Sequence, residues 1–266
     1  MRKSDIDKIR KYGKRAILET VRDSGGGSDV RYQIVQYSFP VFHSSDTLAI
    51  EFDNNGSYIY SAVYTDPRRH FQPVYQISQR LIAAFFPKDT LKSALVLGCA
   101  GCTIPRFVLL HYKGCRVVGV EYSRQFVDIA QRFFINDIMR PRFELICGDA
   151  FEYVEQNAEN ARFDLVYTDI YVADIIHPQV YTEQFVSQVF QMLGSGGLAV
   201  INSFRVPLDK IKAFVNSIKT PFGALYIVEQ YRKYFIVLAK TNDRAVLGRF
   251  EKKLPKYAVI NLKIIN

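Results

Sequence analysis

Leu95-Val96-Leu97-Gly98-Cys99-Ala100-Gly101-Cys102-Thr103-Ile104-Pro105-Arg106 is the stretch on which the fold turns. A short apolar run meets two glycines, and apolar residues then resume at helical spacing, so the segment reads as buried strand, tight loop and helix. Glycines at such a junction let the backbone pass close to a nucleotide, and the helix N-terminus offers free amides. Working outward, Ala94 to Leu97, Arg116 to Val120, Phe143 to Cys147, Phe163 to Thr168 and Leu198 to Asn202 read as strands. Between them, helical spacing covers Thr103 to Tyr112, Arg124 to Phe134, and residues near 150–157 and 182–193, with a further helix over about 72–86 before the first strand. This alternation predicts an α/β fold with a doubly wound, mostly parallel Rossmann-like sheet. Ala224 to Val228 and Tyr234 to Ala239, joined by a polar turn, predict an antiparallel hairpin closing it. Gly194-Ser195-Gly196-Gly197 reads as a turn before the fifth strand, with glycine supplying positive φ.

The flanks divide the chain into four expected segments. Residues 1–29 read as a basic helix, Ile6, Ile9, Ile17 and Val21 recurring among lysines and arginines, followed by a Gly25-Gly26-Gly27 linker. Residues 30–66 read as a small antiparallel β unit with a turn at Asp53-Asn54-Asn55-Gly56, residues 67–240 as the nucleotide-binding Rossmann-like domain, and residues 241–266 as a basic C-terminal extension.

Three acids fall where open α/β sheets bind ligands, at the carboxyl ends of parallel strands. Glu121 ends the second strand, 23 residues after Gly98, where an acid can accept ribose hydroxyls. Asp149 follows Gly148 after the third strand, and Asp169 ends the fourth. A pyrophosphate would be repelled by this ring of carboxylates, whereas a sulfonium cation on an adenosyl group would be attracted. The expected donor contacts are Gly98, Ala100, Gly101, Glu121, Tyr122, Asp149 and Ala150.

Composition narrows the rest. The net charge of +9 sits at the ends, +5 in residues 1–22 and +4 in 241–266, leaving a neutral body, so nucleic-acid binding is expected to be weak and non-specific. The longest apolar runs fall far short of the roughly 20 residues that span a bilayer, and no apolar segment precedes a small-residue cleavage site, so a cytoplasmic protein without membrane contact is expected. Cys99 and Cys102 form a lone CxxC without a second pair or a histidine partner, so no metal is expected and the thiols read as fillers of a tight turn.

Leu95 to Arg106, Val118-Gly119-Val120-Glu121-Tyr122, Cys147-Gly148-Asp149-Ala150, Phe163 to Asp169 and Tyr181-Thr182-Glu183-Gln184-Phe185 together resemble the spermidine synthase family, a group with the class I methyltransferase type of fold. The likeness runs from about Leu48 to Ala239. It implies that the glycine loop and Glu121 hold the amino-acid end and ribose of the donor, that Asp149 contacts the adenine amine, and that Asp169 deprotonates or orients the accepting amine. It also implies a homodimer paired through the β unit.

Where the family carries an acid inside the glycine loop, this chain has Gly101. Where the family has a second acid three residues after Asp169, this chain has Val172, with Asp174 the nearest replacement. The family's Tyr-His/Gln-Glu run is kept only as Tyr75-Gln76-Ile77. Tyr75, Gln76, Tyr171 and Asp174 are therefore the expected acceptor contacts. The reading is a transferase moving an alkyl group from S-adenosylmethionine or its decarboxylated form to a small-molecule amine, a polyamine by family. The missing acids favour methyl over aminopropyl transfer. A non-catalytic nucleoside binder recruiting partners through its basic ends, or a nucleic-acid methyltransferase, is the competing reading.

Overall fold

Strands of almost wholly apolar sequence can lie only in the middle of a sheet with both faces covered. That is where β5 (Ser93–Leu97), β6 (Arg116–Glu121), β8 (Phe163–Thr168) and β11 (Leu193–Ser203) lie, in a computed structural model that describes residues 14–23, 30–38, 46–52, 59–172, 175–230, 233–254 and 259–263. With β7 (Phe143–Cys147), β12 (Ala224–Gln230), β13 (Lys233–Ala239) and β14 (Val259–Lys263) they form one sheet in the order β14-β12-β13-β11-β8-β5-β6-β7. Neighbours from β11 to β7 are parallel, and those from β11 to β14 antiparallel. The expected doubly wound sheet with its terminal hairpin is borne out.

Helices α1 (Gln76–Phe85), α2 (Thr103–His111), α3 (Arg124–Ile129), α4 (Ala150–Asn157), α5 (Glu183–Met192), α6 (Leu208–Ser217) and α7 (Arg244–Lys253) surround it. Alternate strand residues feed two apolar layers. Val96, Leu165, Tyr167, Val200 and Val237 face the layer that holds α1, while Leu95, Val166, Ile201 and Ile236 face the one that holds α5 and α6. None of the described helices is long and apolar enough to cross a membrane.

Three expectations change. Residues 14–23, expected inside an N-terminal helix, form strand β1 (Lys14–Asp23), paired antiparallel with β2 (Val30–Ser38). The i, i+4 spacing of Ile17 and Val21 suits a helix, but Ile17, Thr20 and Val21 are β-branched and a nine-residue partner strand is present, so pairing prevails. With β3 (Thr47–Phe52) and β4 (Ile59–Tyr64) they make a four-stranded sheet in the order β1-β2-β3-β4. The triple glycine thus lies between two paired strands; it, residues 1–13 and the Asp53 to Gly56 turn fall outside the described residues.

Residues 194–197 do not form a separate turn. They continue β11 as a bulge, six residues from Leu193 to Leu198 standing against three from Phe163 to Leu165, and Gly98 alone among the described glycines has positive φ. The basic C-terminal segment is likewise no solvated extension. α7 buries Leu247 and Phe250, the Phe250 ring lies 5.3 Å from both Phe85 and Tyr226, and β14 extends the sheet beyond β12.

Phe250 is fully buried, so Phe250→Ala should cost about 3–5 kcal/mol in denaturant unfolding. An unchanged midpoint would mean that α7 is not part of the core.

Candidate active site

Gly98 leaves β5 with φ +84, in the left-handed region that glycine tolerates. A Cβ here would collide with the Asp169 carbonyl oxygen, because the ends of β5 and β8 approach closely and the Asp169 amide donates to the Leu97 carbonyl at 2.8 Å. Ala100 and Cys102 also have positive φ, 40° and 54°. Two non-glycine residues in this region within one loop are strained and persist only if their surroundings hold them.

Glu121 does so. Its Oε2 accepts the Cys99 and Ala100 amides, both at 2.9 Å, and its Oε1 accepts the Ser123 amide at 3.0 Å. The side chain is 8% exposed. The expected ribose acid is thus first a clamp on the glycine loop, and only lone pairs not spent on amides remain for hydroxyls.

Asp149 caps α4, its Oδ1 accepting the Phe151 and Glu152 amides at 2.7 and 3.2 Å. Its Oδ2 has no hydrogen-bond partner among the described residues. Ala150 is the first residue of α4, and Tyr122 stands 71% exposed beside Glu121. The loop, Glu121, Tyr122, Asp149 and Ala150 therefore share one edge of the sheet, at the ends of β5, β6 and β7.

Gly101 is buried where β4 touches this loop. A Cβ at 101 would lie 2.7 Å from Ser61 Oγ and 3.1 Å from the Phe134 ring, and Ser61 and Thr103 hydroxyls share a hydrogen bond at 2.7 Å. The N-terminal sheet thus occupies the space that a side chain at 101 would need. Both cysteine thiols are free, and burial pushes them up.

Asp169 follows β8. Although the residue is only half-buried, its carboxyl is enclosed, and burial pushes its pKa up to about 7; the Asn202 hydrogen bond opposes the rise and Glu121 adds to it. Asn202 Nδ2 donates to Asp169 Oδ1 at 2.7 Å from the neighbouring strand β11. Asn202 Oδ1 is buried without a partner. The sequence reading missed Asn202; its signal was a lone amide ending an apolar strand next to the one that ends in Asp169.

The expected acceptor contacts separate. The Tyr171 hydroxyl shares its one proton between the Asn202 and Phe204 carbonyls, both at 3.1 Å, so it braces the site rather than lining an open wall. Tyr75 donates to the Tyr60 carbonyl at 2.8 Å and has φ 56, whereas Gln76 is exposed at the start of α1. Val172 is half exposed, and Asp174 lies outside the described residues.

A parallel sheet with a glycine loop after its first strand, a strand-end acid holding that loop and a helix-capping acid after the next strand make up the class I methyltransferase type of fold. The spermine/spermidine synthase domain matches residues 78–241, and the chain belongs to that family. A polyamine aminopropyltransferase of Pyrobaculum arsenaticum is 33% identical over 132 residues, 46% of this chain and 44% of that one. Another, from Vibrio vulnificus, is 24% identical over 170 residues, 62% of this chain and 55% of its own. The chain thus spans about half the length of the curated relatives it matches. A probable spermidine synthase from Corynebacterium glutamicum shares the fold with a TM-score of 0.67 and 15% identity, over 94% of this chain and 91% of that structure.

Two outcomes test this geometry. Glu121→Gln turns an amide donor toward the loop amides and should cost about 1.5–3 kcal/mol in unfolding free energy. Between the ordinary value of 3.8 and about 7, the folded chain holds a proton on Asp169 that the unfolded chain has released, so this group's contribution to stability falls as pH rises through that window. Asp169→Asn should therefore stabilise the protein more at pH 8 than at pH 4, as read by thermal melts.

Proposed function

We propose that this chain is an alkyl transferase of the aminopropyltransferase type, moving a group from an adenosyl-sulfonium donor to the nitrogen of a small amine. The observation that carries this reading is Asp169, a carboxyl with a pKa near 7 at the strand edge that also holds the glycine loop. Family membership and the curated aminopropyltransferase relatives support the same reaction class.

The edge suits such a donor. Glu121, Asp149 and Asp169 attract a cationic group, and Asp149 Oδ2 is open to an amine. When bound, the donor supplies a carbon whose bond to sulfur breaks with the electron pair left on sulfur. Asp169 takes one proton from the acceptor's ammonium and frees the nitrogen lone pair to bond to that carbon. Asn202 fixes the Asp169 carboxyl through Oδ1 and leaves Oδ2 for that proton. The remaining work is alignment, which the Glu121 clamp and the Tyr171 brace perform.

Gly101 supports a second reading, methyl transfer. With Ser61 and Phe134 against its α-carbon, no acid can sit there to hold an ammonium tail, so S-adenosylmethionine meets less repulsion than in a loop with an acid. Side-by-side assays with S-adenosylmethionine and its decarboxylated form decide between the two.

The turnover rate should rise with pH through about 7 as Asp169 loses its proton. Asp169→Asn should remove turnover by at least about 100-fold, the scale of general base catalysis, while methylthioadenosine still binds in calorimetry. Full turnover in that variant would sink the assignment.

A further inference from the structure

Phe204 lies where β11 leaves the sheet, next to Ser203. The Lys233 ammonium stands 4.8 Å from its ring centroid, and the Arg205 guanidinium 5.4 Å. Lys233 opens β13, one residue before Tyr234, which is the register partner of Ser203.

Strand alternation fixes the side on which these groups stand. Asn202 is opposite Phe235, whose ring packs in the layer that holds Tyr167, so Asn202 and Lys233 project to the same face. The Asn202 bond brings the Asp169 carboxyl to that face. Glu229 is opposite Tyr234, whose ring joins the other layer, so its carboxylate faces away from Lys233. Apart from Asp169, the described ends of β8, β11 and β13 carry no acid on this face.

Lys233 is half-buried, and burial holds its ammonium below the usual lysine range. No carboxylate among the described residues lies within ion-pair distance of it. A ring face compensates only part of the lost hydration of a cation, and an anion compensates more. From β8 to β13 there are two strand spacings, about 10 Å, so one small molecule can reach both Asp169 and Lys233.

We propose that Lys233 is a specificity-determining residue that seats a carboxylate of the acceptor, and that the acceptor is an amino acid with its nucleophilic amine at Asp169. This rests on the transferase reading above. A diamine in the same position would set its second ammonium against Lys233, a like-charge contact.

The matched pair 4-aminobutanoate and 1,4-diaminobutane tests it, since both carry an ammonium on a four-carbon chain and the other end is a carboxylate in one and a second ammonium in the other. Each is titrated by calorimetry into the whole chain, with and without saturating methylthioadenosine. The aminobutanoate is expected to bind more tightly by about tenfold, the worth of one partly desolvated ion pair. Lys233→Gln should remove that preference and Lys233→Glu reverse it, both with methylthioadenosine affinity and the unfolding midpoint unchanged. Tighter binding of the diamine to the unaltered chain, no binding of either amine, or a preference that survives Lys233→Gln overturns the proposal. If methylthioadenosine binds and only the aminobutanoate fails, the acceptor assignment falls and the donor site stands. If methylthioadenosine itself fails to bind, the donor-site reading falls, and the titrations without nucleoside decide on Lys233.

Discussion

The candidate site depends on one carboxylate accepting amides from a loop that would not hold its shape alone. Ala100 and Cys102 sit in backbone conformations that side chains disfavour, and Glu121 ties Cys99, Ala100 and Ser123 together from the next strand. Hydrogen bonds to an ionised acceptor are among the stronger ones in a protein, and here they are sheltered from water. The clamp links the end of β5 to the end of β6, so this edge exists only in the assembled sheet. It also changes the role expected of Glu121: a residue placed to meet a ribose spends much of its capacity on backbone.

The end of β8 is built on the opposite logic. Asp169 is enclosed, and its carboxyl is pushed toward neutrality because few groups satisfy it: Asn202 donates one hydrogen bond, and Glu121 repels. A carboxyl left in that condition exchanges a proton near neutral pH, which is what an amine nucleophile needs from its neighbour. Tyr171 then pins the chain beyond Asp169 to β11 through two carbonyls. Stability is given up at Asp169, and the large apolar layers on both faces of the sheet offset it.

The terminal segments, whose charge suggested appendages, contribute to this frame. β4 of the N-terminal sheet presses Ser61 onto Gly101 and accepts the Thr103 hydroxyl at the Ala62 carbonyl, so the small sheet shapes the glycine loop directly. Arg132 holds Glu19 of β1 through two bonds at 2.7 and 2.8 Å, an exposed pair that fixes geometry more than it adds stability. At the other end, α7 keeps its lysines and arginines in water while Leu247 and Phe250 reach the core. A charge count does not separate a tail from an amphipathic helix; the apolar residues between the charges do.

The sequence alone determined the parallel sheet, its closing hairpin, the strand-end positions of Glu121, Asp149 and Asp169, and the family. The sheet, hairpin and strand ends follow from local periodicity and from the glycines between strand and helix, and the family from the resemblance of the motifs at those strand ends. Tertiary structure alone decided that residues 14–23 pair as a strand, that Glu121 clamps amides, that Tyr75 and Tyr171 are spent on carbonyls, and that Asn202 and Lys233 stand on the face of Asp169. Each of these depends on which strand lies beside which and on which face a side chain emerges. A short amphipathic run fits a helix or a strand equally until a partner is present, and a hydrogen bond between residues 33 positions apart leaves no trace in local spacing.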